Sequence, residues 1–231
     1  MYNYCMELIV EDKMNKLFNI LLLVLLLFSG ITNAQNVSIT RQDARIWAND
    51  KGQELINILG MSNIVEKHAK LDKMMLEDVN LDYISKFVIG KYFRKMNKEQ
   101  KRRYSSLFTR YVLSLYKQIN LKFNTDNVDF TIDNVSEFER YTTVTCSVDV
   151  GKLVEGLEVD RIPVKFKLIR NNRDKIQAVD VEISNVSMVI EYRKRFYQMI
   201  VDEGEDIDWF LEKFYDKIIA NEDAVKRMTG L

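Results

Sequence analysis

A carboxylate held among apolar residues beside a tyrosine can move protons on a small apolar substrate. The chain offers one candidate, Asp180, in the segment Ala-Val-Asp-Val-Glu-Ile-Ser between Val179 and Val181. A lyase or isomerase would need that carboxylate turned inward with a raised pKa. The period-two alternation argues otherwise: it groups Asp180 with Ala178 and Glu182, opposite the apolar side of a strand. Other chemistry has little material. The single histidine, His68, lies in the polar stretch Val-Glu-Lys-His-Ala-Lys and reads as a surface residue. There are 2 cysteines, Cys5 and Cys146. Cys146 falls in an alternating run with no His or Lys beside it, so it reads as a small buried hydrophobe rather than a reactive thiol. No nucleophile-elbow, zincin, phosphate-loop or dinucleotide-binding spacing occurs. Neither a catalytic residue nor a metal or cofactor site is expected.

Binding is the remaining class. The chain of 231 residues carries 34 basic and 34 acidic side chains, so its net charge gives no support to a nucleic-acid partner. Two local basic runs stand out, Lys-Glu-Gln-Lys-Arg-Arg at 98–103 and Tyr-Arg-Lys-Arg at 192–195. With acidic residues scattered throughout, these read as solvated helix faces, or as patches that attract anionic lipid head groups or an acidic partner.

The elements that would position any site follow from periodicity. Residues 17–28 form a nearly unbroken apolar run behind Met14-Asn15-Lys16, followed by small residues at Thr32 and Ala34. This fits a secretory signal peptide cut after Ala34, with an uncleaved anchor as the alternative. Residues 1–13 are not a natural start for such a signal, and Met14 fits as the initiator. Residues 35–231 then read as a single domain whose one cysteine cannot form an internal disulfide. Helices are expected over 42–59, 63–79, 81–93 with a break at Gly90, and from Asn97, the longest. Asn97 and Gln100 have the spacing of a capping box. After Phe123 the period changes to two. Alternating runs around Phe130, Cys146, Phe166 and Val181 predict four antiparallel strands with one buried face, and helices follow over 189–202 and 207–219. The class is α+β: helices, a curved antiparallel sheet of four or more strands, helices again. The helix after the last strand is expected to fold back across the open face of the sheet.

Two blocks carry a family resemblance. Residues 88–116, Val-Ile-Gly-Lys-Tyr-Phe-Arg followed by a Glu-Gln pair and spaced Phe and Tyr, resemble one pattern of the MlaC or toluene-tolerance family. Residues 175–196, with Asp180-Val181, Val186-Ser187, Tyr192-Arg193 and Phe196, resemble another. Asn185 stands where the family usually has Gly, and Met188 where it has Leu. The order of elements is similar from about residue 42 to about residue 214.

The resemblance implies a nuclear-transport-factor-like fold with an apolar pocket, no catalytic residues and no cofactor. It implies a soluble periplasmic phospholipid carrier that shuttles lipid between an outer-membrane lipoprotein–porin complex and an inner-membrane ABC lipid-transport complex. Such a carrier would be a monomer with transient membrane proximity. The candidate pocket residues on the helices are Phe87, Tyr92, Tyr104, Phe108 and Tyr111, joined by Val189, Tyr192 and Phe196 beyond the last strand. On the strands they are Val144, Val148, Phe166 and Val181. Tyr192 and Arg193 are expected to bridge helix to sheet or approach the head group, with an ion pair to a carboxylate as the plainer reading of Arg193. The alternatives from other classes are the Asp180 isomerase or lyase and a periplasmic holdase for unfolded proteins. Periodicity cannot separate a core filled by side chains from one that holds a ligand.

Overall fold

The computed structural model describes residues 38–117, 128–149 and 161–230. The expected signal peptide, Val150 and the turn that follows it lie outside the described residues. Helices α1 (Arg41–Leu59), α2 (Ile64–Asp78), α3 (Leu81–Ile89), α4 (Lys91–Lys95) and α5 (Lys98–Lys117) come first. Strands β1 (Asp129–Glu137), β2 (Thr142–Asp149), β3 (Arg161–Arg170), β4 (Ile176–Ile183) and the two-residue β5 (Val186–Ser187) follow, then helices α6 (Met188–Asp202) and α7 (Ile207–Thr229). The protein is α+β, with a five-stranded antiparallel sheet in the order β1-β2-β3-β4-β5. No described helix is long and apolar enough to cross a membrane.

Local chemistry explains the boundaries. Thr40, Asn63, Asn80, Ser187 and Asp206 each accept a first-turn N–H from the helix they precede. The capping box is complete: the Gln100 N–H donates to Asn97 Oδ1 at 2.9 Å, and the Asn97 N–H donates to Gln100 Oε1 at 3.0 Å. Gly90 divides α3 from α4 at φ 43°. A Cβ there would stand 2.7 Å from the Tyr197 hydroxyl, so conformation and space both require glycine. The longest described helix is α7, not α5, because it runs on past Ile219 through Thr229. The apolar stripe weakens there, but the Arg110–Glu222 ion pair at 2.8 Å holds the extension to α5.

Two cores form rather than one. The first is helical: α3, α4, α5, α6 and α7 close around Tyr92, Tyr104, Phe108, Phe196, Phe210 and Phe214, all at most 2% exposed. The second lies on one face of the sheet, where Ile39, Ala44 and Ala48 pack on Val135, Val144, Cys146, Leu168 and Ala178. There α1 covers β1 and β2, and at Gly52 the approach is tight enough that a Cβ would meet the Phe130 ring at 2.8 Å. The helix after the last strand does not cross this face. Instead α6 packs on α3 and on β4.

Two bulges bend the sheet. Ile132 pairs with Cys146 and Asn134 with Thr145, leaving Asp133 extra on β1. Lys167 pairs with Asp180 and Leu168 with Ala178, leaving Val179 extra on β4. The second bulge corrects the reading of Ala178, while Asp180 stays with Glu182 opposite the apolar face, as expected. Ala178 and Asp180 do not share a face, because the inserted Val179 shifts the alternation between them. Ala178 joins the buried face, and Asp180 turns to the start of α6.

Candidate functional site: an apolar sheet face that runs out uncovered

Inter-strand register sets the site. Three rows of apolar residues cross the inner face: Val135-Val144-Phe166-Val181, Ile132-Cys146-Val164-Ile183-Val186, and Phe130-Val148-Ile162. At the α1 end they are closed, with Val144 and Cys146 at 0% exposure. Toward β3 and β4 the cover stops. Phe166, Val181, Val164, Val148 and Ile162 are half-buried. Beyond them Ile183 is 42% and Val186 44% exposed. The middle row is therefore a continuous apolar track from a sealed interior to an open edge. The opposite face is polar and carries Lys165 paired to Glu182 at 2.7 Å.

Trp47 of α1 overlooks this track, edge-on to Phe166 with ring centroids 6.0 Å apart. Its indole N–H is shut off from solvent and has no hydrogen-bond partner among the described residues. A buried donor left unmatched costs on the order of 1–3 kcal/mol, which an acceptor reaching it would recover. A second opening, a cleft of about 830 Å³, lies between the α2–α3 junction and the β3–β4 turn. Leu76, Val79, Tyr83, Phe87 and Ile169 supply apolar walls, and Lys86, Arg170, Arg173 and Gln177 supply polar ones.

The sequence-derived candidates divide between these places. Phe87 lines the cleft. Val148, Phe166 and Val181 lie on the half-open sheet face, and Val144 lies beneath α1. Tyr92, Tyr104, Phe108, Tyr111, Val189 and Phe196 are enclosed in the helical core. There the Phe196 ring meets Phe214 at 5.0 Å, Tyr111 at 5.6 Å and Phe108 at 5.9 Å. Tyr192 sits half-buried at the margin of that core, edge-on to Tyr111 at 6.2 Å. Burial holds the Tyr104 phenol well above its usual range and pushes Tyr111 up to about 12.

The segment linking β4 to α6 is pinned at every step. Ser184 and Asn185 both take left-handed backbone (φ 49° and 65°), the geometry of a tight two-residue hairpin turn. Asn tolerates that region, which accounts for its place at a usual glycine position. Asp180 then accepts from the Ser187 hydroxyl at 2.6 Å and from the Val189 N–H at 3.2 Å. Both carboxylate oxygens of Asp180 are thus engaged in holding the start of α6. Arg193 makes no ion pair among the described residues. It donates to the Phe87 carbonyl and, at 2.9 Å, to the Tyr197 hydroxyl, with its guanidinium over both rings. It clamps α6 to the end of α3 rather than bridging to the sheet.

Other titratable groups serve as ties. Glu205, at φ 61°, accepts from the Tyr92 hydroxyl at 2.7 Å and from Lys95 at 3.1 Å, and these bonds lower its pKa to about 2. Asp72 of α2 accepts from Tyr116 and Lys117 of α5. His68 is half-buried rather than a free surface residue, and burial with nearby Lys117 lowers its pKa. Burial pushes the Cys146 thiol up to about 12. No cluster of three or more His, Cys, Asp or Glu among the described residues could hold a metal ion.

Sequence reasoning assigned Trp47 only to a helical stripe and missed its unmatched N–H, which no pattern announces. It placed Ile183 on a strand but not at an uncovered edge. The Ser187 cap was within reach, since a serine before an apolar-periodic run is a helix-start signal.

Comparison with known proteins now bears on this geometry. The family model described as "MlaC protein" matches residues 53–214. A solved phospholipid-binding protein from Ralstonia solanacearum, in complex with a phospholipid, shares the fold with a TM-score of 0.61 and 11% sequence identity, over 78% of this chain and 98% of that one. No curated protein sequence matches.

Proposed function

The chain belongs to the MlaC family, and from that premise we propose that it is a phospholipid carrier whose half-open sheet face takes an acyl chain. The track from Cys146 through Val164 to Ile183 carries this reading: an apolar face that no described helix seals, running to an open edge. Acyl chains crossing water expose about 0.8 kcal/mol per methylene. Two chains of about fifteen carbons would expose on the order of 20 kcal/mol. A protein that covers the tails removes most of that barrier without chemistry, and this chain has the surface for it.

On this reading Phe166 and Val181 lie under the chain, and the Trp47 N–H donates to an ester carbonyl at its glycerol end. The helical core stays closed and serves as the rigid wall; Tyr104, Phe108 and Phe196 would meet lipid only if α5, α6 and α7 parted. The carrier works in the periplasm after export, collecting lipid from an outer-membrane complex and delivering it to an inner-membrane ABC complex, or the reverse. The experiment is lipid mass spectrometry on the protein purified from a bacterial envelope. Glycerophospholipid at near one molecule per chain is expected. A folded protein carrying none, and taking none from micelles, would reject the proposal.

A further inference from the structure

The outer end of the apolar track poses a question that lipid binding alone leaves open. Ile183 and Val186 face each other across the β4–β5 pair, and Ile190 follows one helical turn on. They are 42%, 44% and 41% exposed, on a segment tied by local hydrogen bonds. The Ser184–Asn185 turn, the Ser187 cap and the Asp180 carboxylate fix its shape. An aliphatic tip held this firmly keeps its exposure at a standing cost in water.

Charge around the tip is balanced toward cation. Glu182 is held by Lys165 at 2.7 Å and Glu191 by Lys194 at 2.6 Å. Arg161 stands across from Asp149 in the register, and Arg195 has no ion pair among the described residues. Among the described residues, Lys165 and Lys194 thus neutralise Glu182 and Glu191, and Arg195 adds a cation with no ion pair.

We propose that the β4–β5 tip with the first turn of α6 is the surface by which the protein docks on a phospholipid bilayer. This rests on the carrier reading and adds where lipid enters. If the open end of the track did not abut the bilayer, each methylene would cross water on its way in, and the barrier would return at about 0.8 kcal/mol per methylene. Seating Ile183, Val186 and Ile190 among the head groups makes the apolar path continuous from membrane to Cys146. The flanking arginine and lysine side chains then lie at head-group level, where anionic lipid attracts them.

The test compares two lipid formats in the full chain. Format one is pickup of a fluorescent phospholipid from protein-free vesicles of phosphatidylcholine with phosphatidylglycerol. Format two is equilibrium binding of short-chain phosphatidylcholine below its micelle concentration, where no bilayer exists. The double variant Ile190→Asp with Lys194→Glu changes two exposed side chains one helical turn apart on α6, outside the apolar track. It is expected to slow vesicle pickup about tenfold or more while leaving short-chain binding within about twofold of wild type. Equal rates from vesicles overturn the inference, and so does a parallel loss in both formats, which would make the tip part of the binding site. Wild type that binds short-chain lipid but takes none from protein-free vesicles also overturns it, in favour of docking on a membrane protein. Wild type that binds lipid in neither format rejects the carrier reading itself.

Discussion

The two cores of this protein differ in kind. The helical core is aromatic and interlocked, with Phe196 touching rings from α5 and α7 at 5.0–6.5 Å. The sheet core is aliphatic and sealed on only one side, under α1. Interlocking rings give high local stability. Half-covered valines and isoleucines give less stability but leave a surface that an acyl chain can finish covering. On the proposed reading, the difference teaches that the aromatic stripe and the ligand surface are separate devices: one holds the frame, the other would accept the cargo.

That contrast can be broken most readily at Phe196. Phe196→Ala is expected to destabilise folding by about 3–5 kcal/mol, read by urea denaturation, while lipid per folded molecule stays unchanged. A fall in lipid load greater than the fall in folded fraction would merge the two cores into one binding region. The mirror experiment is Val164→Asp with Val181→Asp on the half-open face. Bound lipid should fall about tenfold or more, because a carboxylate in contact with an acyl chain must be desolvated. Loss of stability without loss of lipid would place the cargo elsewhere.

Asp180→Ala sharpens the comparison at the junction between the two regions. Removing the cap of α6 leaves the Ser187 hydroxyl and Val189 N–H short of a partner, costing roughly 1–2 kcal/mol by thermal or chemical denaturation. Lipid load should change little. An effect on turnover of a small apolar substrate would instead revive the enzymatic alternative.

How much of this was legible beforehand depends on the region. The period changes near Phe123 and near Val189 fixed the α+β order, and the Asn97–Gln100 box was readable to the residue. The family blocks at 88–116 and 175–196 were readable too, although the way Asp180 caps and Arg193 clamps α6 was not. The bulge at Val179 was not legible, because a single inserted residue leaves both flanking runs in good alternation while reversing their faces. Nor could spacing tell Tyr104, sealed among rings, from Phe166, half-open beneath Trp47: both are aromatics on an apolar stripe, and only packing distinguishes them.

Smaller effects complete the contrast. Trp47→Phe keeps the ring and removes the unmatched N–H; lipid retention should fall a few-fold, about 1 kcal/mol, with folding unchanged. On the helical side, Glu205 has a folded pKa near 2, below the usual carboxylate value. Its tie to Tyr92 and Lys95 is therefore complete above about pH 4.5 and lost as pH falls toward about 2. Glu205→Gln should flatten that part of the acid stability profile, followed by circular dichroism.

The most direct measurement is photo-crosslinking with a phospholipid whose acyl chain carries a diazirine, followed by peptide mass spectrometry. Crosslinks concentrated on β3 and β4, at Val164, Phe166 and Val181, are predicted. Crosslinks confined to Tyr104, Phe108 and Phe196 would contradict the account, placing the cargo inside the helical core.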